Sequence, residues 1–247
     1  MRRLNVFSAA AVFCVAGSGA LAQLNDINSV RLFEREFNDN PGTTLLTVSN
    51  FPTIISFTES GYNGDGFANR HVARFSADGG ATSRLIQNSD SFYIRTEVTM
   101  NSTASAPRKE AGILLDTLGG QGQFIVNSDA HEIVAFGGPL PFFAFPATYD
   151  LGETIVLEMV YNANGNSLAD PATIEYRANG VSSGAIAFSN LEFGIIDGST
   201  AGLYTQFPTA GVGQTNSTVF GNIVVIPAPG ALALGLLGIA AAGRRRR

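Results

Sequence analysis

Tryptophan is absent from the 247 residues, lysine and cysteine occur once each, and histidine occurs twice. Each scarcity removes a class of chemistry. The single cysteine, Cys14, lies in the apolar stretch Val6 to Ala16, behind Arg2 and Arg3 and ahead of Ala20-Leu21-Ala22. That order of positive, apolar and small residues predicts an export leader (1–22) cut by signal peptidase before Gln23, with Ala20 and Ala22 as the cleavage residues. The residues before Cys14, Ala11-Val12-Phe13, lack the small residue of a lipoprotein signal. The exported chain then has no disulfide, no thiol nucleophile and no thiolate ligand, and its core alone must hold it together. His71 and His131, with Asp129 near the second, are too few for a zinc site of three or four ligands. The two histidines read as a turn residue and a strand-edge residue. A Ser-His-Asp hydrolase sets its nucleophile between a strand and a helix, and no helical period is sustained in the body of the chain.

Charge is also one-sided. Of the 15 Lys and Arg, two precede residue 22 and four close the chain, while all 20 Asp and Glu lie between, so the body carries 9 − 20 = −11. An acidic surface repels nucleic acid and anionic lipid, and Lys109 alone makes no basic patch.

The far end is apolar and then strongly basic. Pro227-Ala228-Pro229 precedes 14 residues from Gly230 to Gly243 without a charge, followed by Arg244, Arg245, Arg246 and Arg247. As a helix the apolar run reaches about 21 Å against a bilayer core of about 30 Å, so it anchors marginally and transiently. Four arginines stay on the cytoplasmic side. The segment 227–247 resembles the PEP-CTERM sorting signal, which implies delivery to an exosortase and a final place on the cell surface or in the extracellular matrix. The hallmark Pro-Glu-Pro is Pro-Ala-Pro here, which leaves the cutting enzyme open. A permanent inner-membrane anchor is the other reading of the tail.

Between the ends, short runs rich in Val, Ile, Thr, Phe and Tyr alternate with Gly, Asn, Asp and Ser. Strands are predicted near 44–48, 53–58, 71–75, 91–100, 111–116, 121–126, 132–136, 154–161, 172–177, 184–188, 201–206 and 218–225. Asn179-Gly180 marks a hairpin turn. Twelve strands in about 200 residues favour an all-β, two-sheet antiparallel sandwich of jelly-roll type. Phe92 to Val98, Glu110-Ala111-Gly112-Ile113-Leu114-Leu115, Gly202-Leu203-Tyr204-Thr205-Gln206 and Phe220-Gly221-Asn222-Ile223-Val224-Val225 together resemble the concanavalin A-like lectin/glucanase sandwich, over about 50–226, with 23–49 leading into it. The resemblance implies a fold more than a function.

The glycosidases of that superfamily carry Glu-x-Asp-x-x-Glu or Glu-x-Asp-x-Glu on one strand, and neither string occurs here. Glu110 and Asp116 share a strand face but lie far apart along it. Sugar stacking normally uses exposed aromatics; the candidates are Phe142 and Phe143, in the proline-flanked segment 137–146, and Tyr204. That segment reads as a loop capping the sandwich or as an exposed apolar patch. Asn63 and Asp65, among consecutive glycines, are the candidate calcium ligands, although Asn and Asp also favour turns for backbone reasons. The expectation is therefore a non-catalytic, exported lectin-like protein with no enzymatic site. A glycan-binding module recognising extracellular polysaccharide is the first alternative, and a glycoside hydrolase or lyase the second.

Overall fold

The computed structural model describes residue 24 and residues 26–188, 193–195, 197–209 and 211–228. In chain order the strands are β1 (Ser29–Asn38), β2 (Thr44–Asn50), β3 (Ile54–Ser60), β4 (Ala68–Ser76), β5 (Leu85–Ile86), β6 (Phe92–Ser102), β7 (Glu110–Thr117), β8 (Gly120–Asn127), β9 (Glu132–Phe136), β10 (Phe143–Thr148), β11 (Thr154–Asn162), β12 (Thr173–Ala178), β13 (Val181–Ser182), β14 (Ile186–Ala187), β15 (Ser199–Pro208) and β16 (Thr215–Pro227). The first sheet runs β1-β4-β15-β7-β8-β9-β10, with β5 on β15; the second runs β13-β12-β11-β6-β16-β3-β2, with β14 on β12. All pairings are antiparallel. The fold is an all-β two-sheet sandwich, with no helix among the described residues.

Period-two alternation builds it. In β6, Phe92, Ile94, Thr96, Val98 and Met100 are fully buried while Tyr93, Arg95, Glu97 and Thr99 are half-buried. The inward set meets the inward set of the first sheet: Phe124 of β8 lies 5.2 Å from Tyr176 of β12, ring centre to ring centre. Each such aromatic contributes roughly 1.5–3 kcal/mol by leaving water. The β12–β13 hairpin turns on Asn179 and Gly180, at φ 48° and 81°, as the dipeptide predicts.

Besides the two-residue strands β5 and β13, which no predicted span covers, three places differ from the sequence reading. β1, a strand on the edge of the first sheet, was not anticipated, because Arg31, Glu34, Arg35 and Glu36 interrupt its apolar pattern. Segment 137–146 is not wholly a loop: β10 is the opposite edge strand, where prolines are tolerated because no neighbour needs their missing N–H. Its Phe145 is buried against Phe124 and Phe143, at 5.9 and 4.9 Å between ring centres. His71 is not a turn residue either. It sits inside β4, fully buried.

Pro227 ends β16, and the N–H of Ala228 donates to the Ser91 carbonyl at 3.2 Å. The leader with Ala20, Ala22 and Gln23, and the tail from Pro229 through Arg244, Arg245, Arg246 and Arg247, lie outside the described residues. Among the described residues no helix is long and apolar enough to cross a membrane.

Candidate functional site

Alternation gives the first sheet a second face, turned away from the core. On β4, Ala73 and Phe75 point into the sandwich while Val72 belongs to a separate outer cluster. The same parity puts Tyr204 of β15, Leu114 of β7, Ile125 of β8 and Val134 of β9 on the outer face, with Phe33 and Phe136 packed beside them. Register brings these strands together: Tyr204 stands opposite Val72 on one side and Gly112 on the other. The backbones close in tightly here. A Cβ added at Gly112 would meet the Phe124 carbonyl oxygen at 2.1 Å, and one at Gly202 the Ala73 carbonyl oxygen at 2.4 Å.

Arginines roof this apolar floor. The Arg70 guanidinium lies 4.9 Å above the Tyr204 ring, and those of Arg74 and Arg31 lie 4.5 and 5.0 Å from the Phe33 ring. Stacked in this way, the planar cations cover apolar surface and keep their edges for hydrogen bonds. Arg74 pairs with Asp116 at 2.6 Å and with Glu36 at 2.5 Å, while Arg70 Nε is 3.2 Å from the other oxygen of Glu36. Arg70 Nη1 donates to Gln121 at 2.6 Å, while Nε and Nη2 are buried with no hydrogen-bond partner among the described residues, so Nε meets Glu36 as an ion pair.

Beside this cluster the Tyr204 hydroxyl donates to Glu110. Arg108 holds the other oxygen of that carboxylate at 2.6 Å, with Asp129 and Glu132 each 3.7 Å from its Nη1. Burial, then the adjacent Glu110 carboxylate, push the Tyr204 phenol well above its ordinary range, so it holds its proton at neutral pH. At the end of the same face an open cleft of about 310 Å³ is lined by Arg74, Asp116, Ser83, Leu118 and Thr200. A neighbouring cleft of about 540 Å³ shares Ser83 and adds Arg31, Thr82 and Arg84.

A second polar cluster lies inside the sandwich. Glu59, fully buried on β3, accepts from Thr43 and Asn69 at 2.5 Å each and from the Tyr62 hydroxyl at 2.9 Å. Arg35 Nη1 is 3.2 Å away and His71 Nε2 3.5 Å, while the His71 Nδ1 contacts the Glu34 carbonyl. Asn216 of β16 donates to Tyr62 at 3.0 Å. Burial pushes the Glu59 carboxyl up, but hydrogen bonds from His71, Thr43 and Asn69 outweigh it and the net direction is down. This cluster ties β1, β3, β4 and β16 together. It is a structural latch.

The sequence candidates fall differently. Tyr204 is fully buried under Arg70 and not offered to solvent, Phe143 is half-buried, and Phe142 is 73 % exposed. The three do not form one surface cluster: Tyr204 is on a central strand, whereas Phe142 and Phe143 lie at the β10 edge. Asn63 and Asp65 bond each other, Asp65 N–H to Asn63 Oδ1 and Asn63 Nδ2 to Asp65 Oδ2, both at 3.1 Å. Among the described residues no group of three or more His, Cys, Asp or Glu side chains is placed to hold a metal. Glu110 and Asp116 do share a face, as expected. Gly180-Val181-Ser182-Ser183-Gly184 has the spacing of a nucleophile elbow, but Ser182 sits on an exposed hairpin strand with its hydroxyl on Glu175 at 2.5 Å. Sequence reasoning missed the outer cluster. Its visible signal was Arg70-x-Val72-x-Arg74, two arginines on one strand face with an apolar residue between them.

No protein-family model matches the chain, and no curated protein matches it. Solved structures do match in fold. A variant of alginate lyase A1-II' aligns with a TM-score of 0.50 at 9 % identity, over 74 % of this chain and 83 % of that one. An alginate lyase from Corynebacterium sp. aligns at 0.49 and 13 %, over 72 % and 82 %, and the polysaccharide lyase family 7 enzyme AlgAT5 at 0.45 and 12 %, over 72 % and 80 %. At such identities the likeness establishes the jelly-roll sandwich. It also corrects the expectation of a non-catalytic lectin-like protein, because the solved structures sharing this fold include polysaccharide-cleaving enzymes, which the hydrolase or lyase alternative fits better, although neurotoxin binding domains share it too.

Proposed function

We propose that the outer face of the first sheet cleaves a polysaccharide, and that it does so by β-elimination on a uronate polymer such as alginate. The observation that carries this reading is the Tyr204–Glu110 pair set on the sheet's central strands directly beside the guanidinium of Arg70. Elimination from a uronate needs three things: neutralisation of the carboxylate so that its α-proton becomes acidic, a base for that proton, and an acid for the departing glycosidic oxygen. The guanidiniums of Arg70 and Arg74 supply the first. Tyr204 and Glu110 supply the other two as a proton-transfer pair. The C5–H bond and the C4–O bond break, the C4=C5 double bond forms, and the proton from C5 ends on the leaving oxygen. A phenol held protonated by burial is suited to the acid half of this exchange once the Arg70 guanidinium covering its ring swings aside to the substrate carboxylate, with Glu110 accepting the C5 proton in the base half. Arg108 holds Glu110 in place from the far side.

Export supports the same reading, since a polymer substrate lies outside the cell. The leader before Gln23 favours passage through the inner membrane, and the Pro227-Ala228-Pro229 tail with its terminal arginines favours exosortase-type sorting to the surface or matrix, with transient membrane insertion. The test is incubation of the exported chain with alginate, following both the ultraviolet absorbance of unsaturated uronate and the release of reducing ends. The expected result is that both rise together and that both are lost in Glu110→Gln. Reducing ends without absorbance would make the chain a hydrolase. Neither signal, with saturable polymer binding, would refute cleavage altogether.

A further inference from the structure

Glu36 occupies a position that its own strand does not require. β1 gains residues against β4 between the pairs Phe33↔Val72 and Phe37↔Arg70, four steps on β1 against two on β4. This bulge inverts the alternation set by Phe33, which would otherwise place Arg35 on the outer face and Glu36 inside. Arg35 turns to the buried Glu59, and Glu36 reaches over the outer face. There its carboxylate is held by two arginines at once, one oxygen 2.5 Å from Arg74 and the other 3.2 Å from Arg70 Nε. A carboxylate gripped by two guanidiniums is the arrangement that recognises an acidic sugar, and here the chain itself provides the carboxylate.

We propose that Glu36 is an internal occupant of the anion seat between Arg70 and Arg74, a carboxylate that an incoming uronate must displace, and that it thereby sets the affinity and charge selectivity of the site. This rests on the reading of the face as a polyuronate site. The charge balance supports it: Glu36 and Asp116 neutralise Arg70 and Arg74, so removing Glu36 leaves the seat one positive charge in excess. The contact is also displaceable. Glu36 is on an edge strand with its side chain 21 % exposed, while Arg74 keeps Asp116 and lines the 310 Å³ cleft from which a ligand would approach.

The test compares the wild-type chain with Glu36→Gln, using free glucuronate as the probe and the Nε–H signals of Arg70 and Arg74 as the readout. Saturable shifts at both arginines are expected in Glu36→Gln, with wild-type shifts requiring on the order of tenfold more glucuronate. A neutral sugar should shift neither protein. With an alginate oligomer the variant should bind correspondingly tighter and with a steeper dependence on salt. Glu36→Asp keeps the charge on a shorter arm and should fall between the two; its use also guards against misfolding of the amide variant. Equal or weaker glucuronate binding by a folded Glu36→Gln would overturn the proposal, since Glu36 would then be organising the arginines and not competing for them. If glucuronate is captured as expected but alginate is not cleaved, the seat stands and the lyase reading falls. If alginate is cleaved and the variant gains nothing, the reverse holds.

Discussion

Replacing Glu59 by alanine should cost more stability than any substitution on the outer face. The carboxylate is fully buried and receives five partners: Arg35 at 3.2 Å, His71 at 3.5 Å, Tyr62 at 2.9 Å, and Thr43 and Asn69 at 2.5 Å. Truncation removes the counter-charge from Arg35 and leaves the Tyr62 hydroxyl short of an acceptor, while the Asn69 amide keeps the Asn40 carbonyl and the Thr43 hydroxyl at 3.0 Å each. Breaking a buried ion pair by deleting one member costs about 3–5 kcal/mol. For a domain of this size that corresponds to a fall of roughly 6–20 °C in melting temperature, at about 2–4 °C per kcal/mol. Glu59→Gln keeps the shape and part of the bonding and should cost less, about 1–3 kcal/mol. The pH dependence has a definite sign. The folded carboxyl lies below its ordinary value, so its stabilisation is present above the unfolded-state pKa and is lost as pH falls through the lower, folded one. Urea unfolding of the wild type and both variants across the acid range measures this, and the acid limb of Glu59→Gln should be flatter. A loss below about 1 kcal/mol for Glu59→Ala, with unchanged denaturant slope, would refute the view of this cluster as a latch between the sheets.

Other outcomes follow from the same geometry. Tyr204→Phe removes the acid that protonates the leaving oxygen and should lower kcat on alginate by about 10²–10⁴ with little change in KM, read from initial rates. Gly112→Ala sets a Cβ 2.1 Å from the Phe124 carbonyl oxygen and should cost about 1–3 kcal/mol, because only backbone movement relieves the clash; thermal unfolding measures it. Phe142→Ser changes a side chain that is 73 % exposed and should leave stability within about 0.5 kcal/mol, so any loss of polymer binding in that variant would be a surface effect.

The framework was legible because alternation is local. All twelve strands read from the sequence have counterparts, and β6 and β12 carry the pattern most clearly. β1 was not, because the charges that break its pattern are answered only by distant strands: Arg35 by Glu59 of β3, and Glu36 by Arg70 and Arg74 of β4. β10 was obscured by prolines, which an edge strand admits and a central one does not. The site was hidden for a different reason. Glu110 and Tyr204 are 94 residues apart and meet only because β7 and β15 are neighbours in the sheet, so Tyr204 read as a stacking ring and Glu110 as a carboxylate far from Asp116, not as a pair. Looking for a carboxylate pair on one strand excluded a common glycosidase pattern, but elimination needs no such pair. The acidic body charge pointed away from anionic partners, yet it is a sum over the surface, whereas Arg31, Arg70, Arg74 and Arg84 gather on one face and its end.

The most direct test of the central claim is mass spectrometry of the new chain ends after the protein has been incubated with alginate. Elimination leaves a non-reducing end lighter by one water than the end a hydrolase makes, and that lighter end is the expected product, absent when Tyr204→Phe replaces the wild type. Fully hydrated ends would contradict the eliminating site, and an undigested polymer would contradict the enzyme.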